Sequence, residues 1–313
     1  MPDVPMIDAH VHLWDPDSFR MPWLDRSPAL NRRIGIEEYA TATAGLDIAG
    51  FVYLEVDVAP EYALIEASSI ARLAEQQPLI LAIVPFAPLE YGNRVVTYLE
   101  AIVALGPRIK GVRRLTQGEP DPAFCLRQEF VEGASQLAKF GLSCDLCCTW
   151  EQLGPTIELV RRCPETSFIL DHLGKPNIAS GALDPWRGQI TSLASLPNVV
   201  CKISGAVTEA DHERWAIDDV KPFVLHALDA FGEDRVLFGS DWPVATLAST
   251  YRRWVETLEI LTADAPSPAR RKLWADNARR VYRLTDERLN SRPPKSSRPC
   301  DSGGRTTPVR REE

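Results

Sequence analysis

A chain of 313 residues with 45% hydrophobic and 25% charged residues can bury a large core, which excludes a disordered chain, a disulfide miniprotein and a collagen-like rod. Thirty-five basic against 43 acidic residues leave a formal charge of -8, so nothing overall favours nucleic acid or an anionic membrane. The predicted ligand is a small neutral or weakly charged molecule.

The chain opens on MPDVPMIDAHVHLW, acidic where a signal peptide has a basic segment before its apolar run. No apolar stretch reaches membrane-spanning length, and a soluble cytoplasmic protein is predicted. Eight short apolar, β-branched runs follow one another. They are MIDAHVHL (6–13), GFVYLEVD (50–57), LILAIVPF (79–86), IKGVRRL (109–115), LSCDLCC (142–148), SFILDH (167–172), NVVCKIS (198–204) and RVLFGSD (235–241). Between them, EYALIEASSIARLAEQQ and RVVTYLEAIVAL carry apolar residues at three and four spacing, as helices packed outside a barrel do. Repeated βα units of this kind predict a closed parallel barrel.

Residues 15–46 interrupt the rhythm with Pro16, Pro22, Pro28 and several arginines. They read as a long loop over the barrel mouth. Residues 290–313 are rich in Pro, Ser, Gly and Arg and are expected to be a disordered tail, with Cys300 exposed in it. The predicted organisation is one barrel domain, 1–289, and this tail. The seven cysteines lack the repeated CxxC of a zinc ribbon. Cys144, Cys147 and Cys148 are read as reduced, buried packing residues.

Alternate side chains of a strand share a face, so His10 and His12 point together and Val11 points away. On the first strand of a parallel barrel both lie near the C-terminal end, where barrel enzymes place their active sites. Of the five histidines, a third, His172, also ends an apolar strand, and Asp241 ends the last one. His212 and His226 lie in helical contexts. Buried ionisable groups are costly unless paired or ligating, so rare titratable groups gathered at one barrel face predict a functional site.

IDAHVHLWDP, RMPWL, KGVRRL, LDHLGKP, CKISG, LFGSDWPV and NARRVYRL together resemble the sugar-lactonase branch of the amidohydrolase-related family, within the amidohydrolase superfamily. The resemblance covers residues 6 to about 285. It implies an α/β fold, a distorted (β/α)8 TIM barrel, and ester-type hydrolysis at its mouth. His10 and His12 match the first-strand HxH, His172 the mid-chain histidine, and Asp241 the aspartate after the last strand. Lys202 and Ser204 stand where many amidohydrolases carry another histidine, and Arg113 and Arg114 where binuclear members have a bridging lysine or carboxylate. A two-metal site is therefore not expected.

His10, His12, His172 and Asp241 are candidate ligands of one divalent ion, zinc first, since imidazoles and a carboxylate are ordinary zinc ligands. Metal-free catalysis stays open. Asp241 is the candidate general base, with His172 and Arg113 as further catalytic candidates. Trp14, Trp23, Glu55, Asp145, Lys175 and Trp242 are candidate substrate-binding residues, because a sugar lactone presents both hydroxyls and an apolar ring face. The expected substrate is an aldonolactone such as L-rhamnono-, L-fucono- or L-galactonolactone. A metal-dependent decarboxylase of the same superfamily and a non-catalytic sugar-binding barrel are the alternatives, and homo-oligomerisation is open.

Overall fold

The computed structural model describes residue 2 and residues 4–284. The expectations for residues 285–313, the tail and Cys300 among them, lie outside the described residues. All eight predicted strands form: β1 (Met6–Val11), β2 (Ile48–Leu54), β3 (Ile80–Val84), β4 (Gly111–Arg113), β5 (Ser143–Leu146), β6 (Phe168–Leu170), β7 (Val199–Ile203) and β8 (Val236–Phe238). All adjacent pairs are parallel. The fold is an α/β TIM barrel.

Continuous strand pairing divides it into a three-stranded sheet, β1-β2-β3, and a five-stranded sheet, β4 to β8. Isolated parallel bridges join the two: Ile83 to Ile109 and Phe86 to Arg113 on one side, Val11 to Trp242 on the other. This is the distortion of the barrel. β1 is itself irregular, with a register shift against β2 between Asp8 and Val11. Ile7 and Ala9 pack inward beside Val52, Leu54 and Leu237. Asp8 instead turns to Tyr251 of the outer helix Tyr251–Leu261, and the Tyr251 hydroxyl donates to Asp8 Oδ2 at 3.0 Å.

Each strand leads into an outer helix by virtue of a local apolar stripe. In α2 (Ala63–Gln76), Ala63, Glu66, Ala67, Ile70 and Ala74 are the buried positions, recurring at three and four spacing as one helix face requires. The segment 15–46 is more structured than a loop: Trp14 pairs with Ile34 in an antiparallel bridge, and α1 (Ile36–Ala42) closes the segment. Its Pro22–Arg26 turn carries Trp23 to the barrel mouth. At the other end of the barrel, Ala275, Ala278 and Tyr282 join the interior apolar cluster. Among the described residues no helix is long and apolar enough to cross a membrane.

Candidate active site

The strand ends bring His10, His12, His172 and Asp241 together. Asp241 Oδ1 lies 3.7 Å from His10 Nε2, 3.6 Å from His12 Nε2 and 3.7 Å from His172 Nε2, and the Nε2 atoms of His10 and His12 are 3.1 Å apart. Two of these side chains are aimed by unusual backbone. Asp241 has φ 58°, and His172, Leu173, Gly174 and Lys175 follow one another at 52°, 59°, 69° and 47°. Left-handed conformation costs a non-glycine residue roughly 1–3 kcal/mol, and such strain concentrates at functional sites. The His172 ring fits only because residue 205 is glycine: Gly205 has φ +59°, and a Cβ there would stand 2.6 Å from His172 Nδ1.

The ring nitrogens turned away from Asp241 are all engaged. His12 Nδ1 lies 3.0 Å from the Leu54 carbonyl oxygen. That oxygen only accepts, so Nδ1 carries a proton. His172 Nδ1 meets Ser204 Oγ at 2.9 Å. His10 Nδ1 lies 3.3 Å from Asp171 Oδ1 and 3.2 Å from Lys202 Nζ. Burial first, and neighbouring positive charge after it, drives His10 well below its ordinary value. Burial likewise keeps His172 neutral, outweighing the pull of Asp241. Burial opposes the charge of Asp241, but His172 and His12 hold its carboxyl below the usual carboxylate range.

Beneath this group lies a charged floor. Lys202 Nζ is 2.5 Å from Asp145 Oδ2 and 2.9 Å from Asp171 Oδ1, and the Tyr282 hydroxyl donates to Asp145 Oδ2 at 3.0 Å. Burial disfavours the Lys202 ammonium, yet the two aspartates raise it above its ordinary value. Burial pushes Asp145 up to about 6 despite Lys202. Arg113 donates from Nε to Glu55 Oε1 and from Nη2 to the Glu55 carbonyl, both at 2.6 Å. Its Nη1 faces His10 Nε2 at 3.3 Å.

These residues fit a divalent cation on two counts. His10, His12 and Asp241 offer donor atoms that lie within 4.8 Å of one another. Their separations of 3.1, 3.6 and 3.7 Å approach the roughly 3.3 Å edge of a tetrahedron whose ligands stand about 2.0–2.1 Å from zinc, and His172 Nε2 lies 3.7 Å from Asp241 Oδ1. Charge is the second count. The carboxylates of Glu55, Asp145, Asp171 and Asp241 exceed the cations Lys202 and Arg113 by two within one buried network, and a divalent ion would balance that excess.

A cavity of about 180 Å³ opens above the group. Trp14, Trp23, Val56, Leu115 and Val244 give it an apolar wall, and Arg113, Lys175, Asp57 and Gln117 line it beside His12, His172 and Asp241. Trp14 and Trp23 meet edge to face, 5.3 Å between ring centroids. Lys175 Nζ lies 3.5 Å from Glu209 Oε1. Among the expected substrate-binding residues, Trp14, Trp23 and Lys175 therefore reach the cavity.

Glu55, Asp145 and Trp242 do not. Glu55 is spent on Arg113, and Asp145 lies fully buried in the floor. The Trp242 ring packs against Tyr39 at 5.3 Å, because it follows the inward-pointing Asp241 and faces the helical layer. Asp171, Asp57, Gln117 and the floor role of Lys202 escaped sequence reasoning. Asp171 had one signal, its place two residues after Ile169, which belongs to the interior cluster. Cys144, Cys147 and Cys148 are buried free thiols, and none joins a candidate metal-holding group among the described residues.

A parallel barrel with imidazoles and a carboxylate at the C-terminal strand ends defines a class of barrel hydrolases. The sequence model of the amidohydrolase family matches residues 7–284, and the chain belongs to that family. Among curated relatives it is 31% identical to an L-fucono-1,5-lactonase of Burkholderia multivorans, over 90% of this chain and 96% of the relative. It is 23% identical to an L-rhamnono-gamma-lactonase of Scheffersomyces stipitis, over 89% of this chain and 98% of that one. A crystal structure of a Burkholderia multivorans amidohydrolase with bound Zn superposes with a TM-score of 0.82 at 28% identity, covering 90% of this chain and 100% of that one. These likenesses run along the barrel and are not confined to one motif.

Proposed function

We propose that this protein is a lactonase that opens a sugar-acid lactone, an aldonolactone of the L-rhamnono, L-fucono or L-galactono kind, by water attack on the ring carbonyl. The observation that carries the reading is the ionised Asp241, surrounded by three imidazole Nε2 atoms at the base of a compact cavity with a tryptophan-lined wall. Its volume falls below the roughly 300–1,000 Å³ of drug-sized sites, which suits a compact ring. The likeness to lactonases along nine-tenths of the chain supports the same substrate class.

His10, His12, His172 and Asp241 would hold one divalent ion, zinc by donor type. When bound, such an ion supplies Lewis-acid polarisation of the ester carbonyl. Asp241 takes a proton from the attacking water as the new carbon–oxygen bond forms. It returns that proton to the ring oxygen as the ring carbon–oxygen bond breaks, leaving a hydroxy acid. The Lys175 ammonium holds the carboxylate that results, and Trp14 and Trp23 cover the apolar face of the ring. Ser204 is engaged with His172, and His212 and His226 bond to Thr208 and Thr191 away from the cavity. The decarboxylase alternative thus lacks a further imidazole as proton donor.

A pH-indicator assay on L-rhamnono-, L-fucono-, L-galactono- and D-arabinonolactone tests the reading, with acid release expected from at least one. Inert lactones beside an aromatic acid that loses carbon dioxide would replace it with the decarboxylase. Tight sugar binding without turnover would leave a binding barrel.

A further inference from the structure

A second cavity, of about 430 Å³, lies between the segment that follows β1 and helix α2. Trp14, Phe19, Ile34, Ile70 and Leu73 give it apolar walls, and Glu66 of α2 lines it too. Glu66 is 2% exposed. Its Oε1 accepts from the Tyr53 hydroxyl at 2.7 Å and from the Val56 amide at 3.0 Å, whereas its Oε2 has no hydrogen-bond partner among the described residues. Burial, reinforced by the charge of Glu55, pushes this carboxyl up to about 8. Buried polar atoms are nearly always satisfied, and each exception calls for an explanation. An apolar cavity of this size with a few converging polar groups is the usual form of a small-molecule site.

The charge of the lining indicates the ligand. Four acidic residues, Asp15, Glu37, Glu38 and Glu66, line the cavity beside one basic residue, Arg33. Asp15 and Glu38 already accept backbone amides, from Asp17 at 3.1 Å and Gly35 at 2.8 Å, which leaves Glu66 Oε2 as the buried polar atom in want of a partner, an acceptor for a cation once the carboxyl is ionised. Aromatic faces beside it attract cations through their quadrupoles. We propose that this cavity is a second ligand site that takes a small organic ammonium ion, its charged head on Glu66 Oε2 and its hydrocarbon body against Trp14 and Ile70.

The site touches the catalytic cavity directly. Trp14 and Val56 line both, and Trp23 Nε1 donates to the Val56 carbonyl at 2.8 Å. Any effect of the ammonium on substrate affinity is returned equally by the substrate on the ammonium. The proposal does not rest on the lactonase reading, because binding is measured without turnover.

Calorimetric titration of the full chain with benzylammonium, benzyl alcohol and benzoate tests it, buffered just above the Glu66 value of about 8, where the carboxyl is ionised and the ammonium keeps its proton. The expected result is one benzylammonium per chain, bound at least tenfold more tightly than the alcohol, with no benzoate bound. Glu66→Gln and Leu73→Trp should each weaken benzylammonium at least tenfold, the first by removing the anion and the second by filling the cavity. If Glu66→Gln does not fold, Leu73→Trp, which leaves the Glu66 hydrogen bonds in place, decides the matter. No binding by any probe, equal affinity for alcohol and ammonium, or undiminished binding in a folded variant would overturn the proposal.

Discussion

The two sheets of the barrel fill its interior in different proportions. From the three-stranded sheet come Ile7, Ala9, Val52, Leu54, Ala82 and Val84, an apolar layer completed by Ile169, Leu237 and Tyr282. The five-stranded sheet and its strand ends supply Arg113, Asp145, Asp171, Lys202 and Asp241, all buried, and among the described residues only His10, His12 and Glu55 join them from the three-stranded sheet and its strand ends. The apolar half stabilises the fold by removing hydrocarbon from water, about 25 cal/mol per Å². The charged half cannot be read as a stabilising feature, since burying ions costs as much as their pairing returns, or more. Its presence fits the divalent ion and the chemistry proposed above, and the apolar half offsets its cost.

The sharpest test of this division is Asp241→Asn. It keeps the shape and removes the proton acceptor, so kcat should fall by about 10²-fold or more while the fold persists. Zinc content measured on the same sample separates loss of the base from loss of the ion. His12→Ala should remove most activity together with the metal, whereas His226→Ala on the outer helix Ile217–Phe231 should leave both intact. Equal losses from both histidines, with normal circular dichroism, would place the site elsewhere.

Next in size, Lys202→Met strands Asp145 and Asp171 in the interior. Breaking a buried pair in this way costs about 3–5 kcal/mol, to be read from denaturant midpoints, and adding Asp145→Asn should restore part of it. A single variant as stable as the parent would mean that the floor carries no uncompensated charge.

On the apolar side, Leu237→Ala should cost about 2–5 kcal/mol and leave kcat unchanged in the folded fraction. A large fall in kcat there would show that the two halves are not separable. The smallest effect is expected at their border: Tyr282→Phe removes one donor to Asp145 and should cost about 1 kcal/mol, visible only by careful melting.

Much of this was legible along the chain. The eight strands stand out because each is a short apolar run bounded by turn residues, and the site residues stand out because rare histidines and an aspartate end such runs. The face that each side chain takes was less legible. Simple alternation makes His10 and His12 partners, which holds, but by the same period Asp8 should join them. The register shift in β1 sends Asp8 to Tyr251 instead. Glu55, Asp145 and Trp242 were judged by nearness to strand ends. What decided them was the partner across the barrel: Arg113 for Glu55, Lys202 and Tyr282 for Asp145, and Tyr39 for Trp242.

The sequence by itself therefore determined the barrel, the order of its strands and the set of groups at its mouth, because hydrophobic period and residue type are local properties. Only the tertiary structure decided which of those groups face the cavity and which form the floor. That choice depends on a register shift, on left-handed residues such as His172 and Asp241, and on ion pairs such as Lys202 with Asp145, 57 residues apart. Pairing of that kind arises only when the barrel closes.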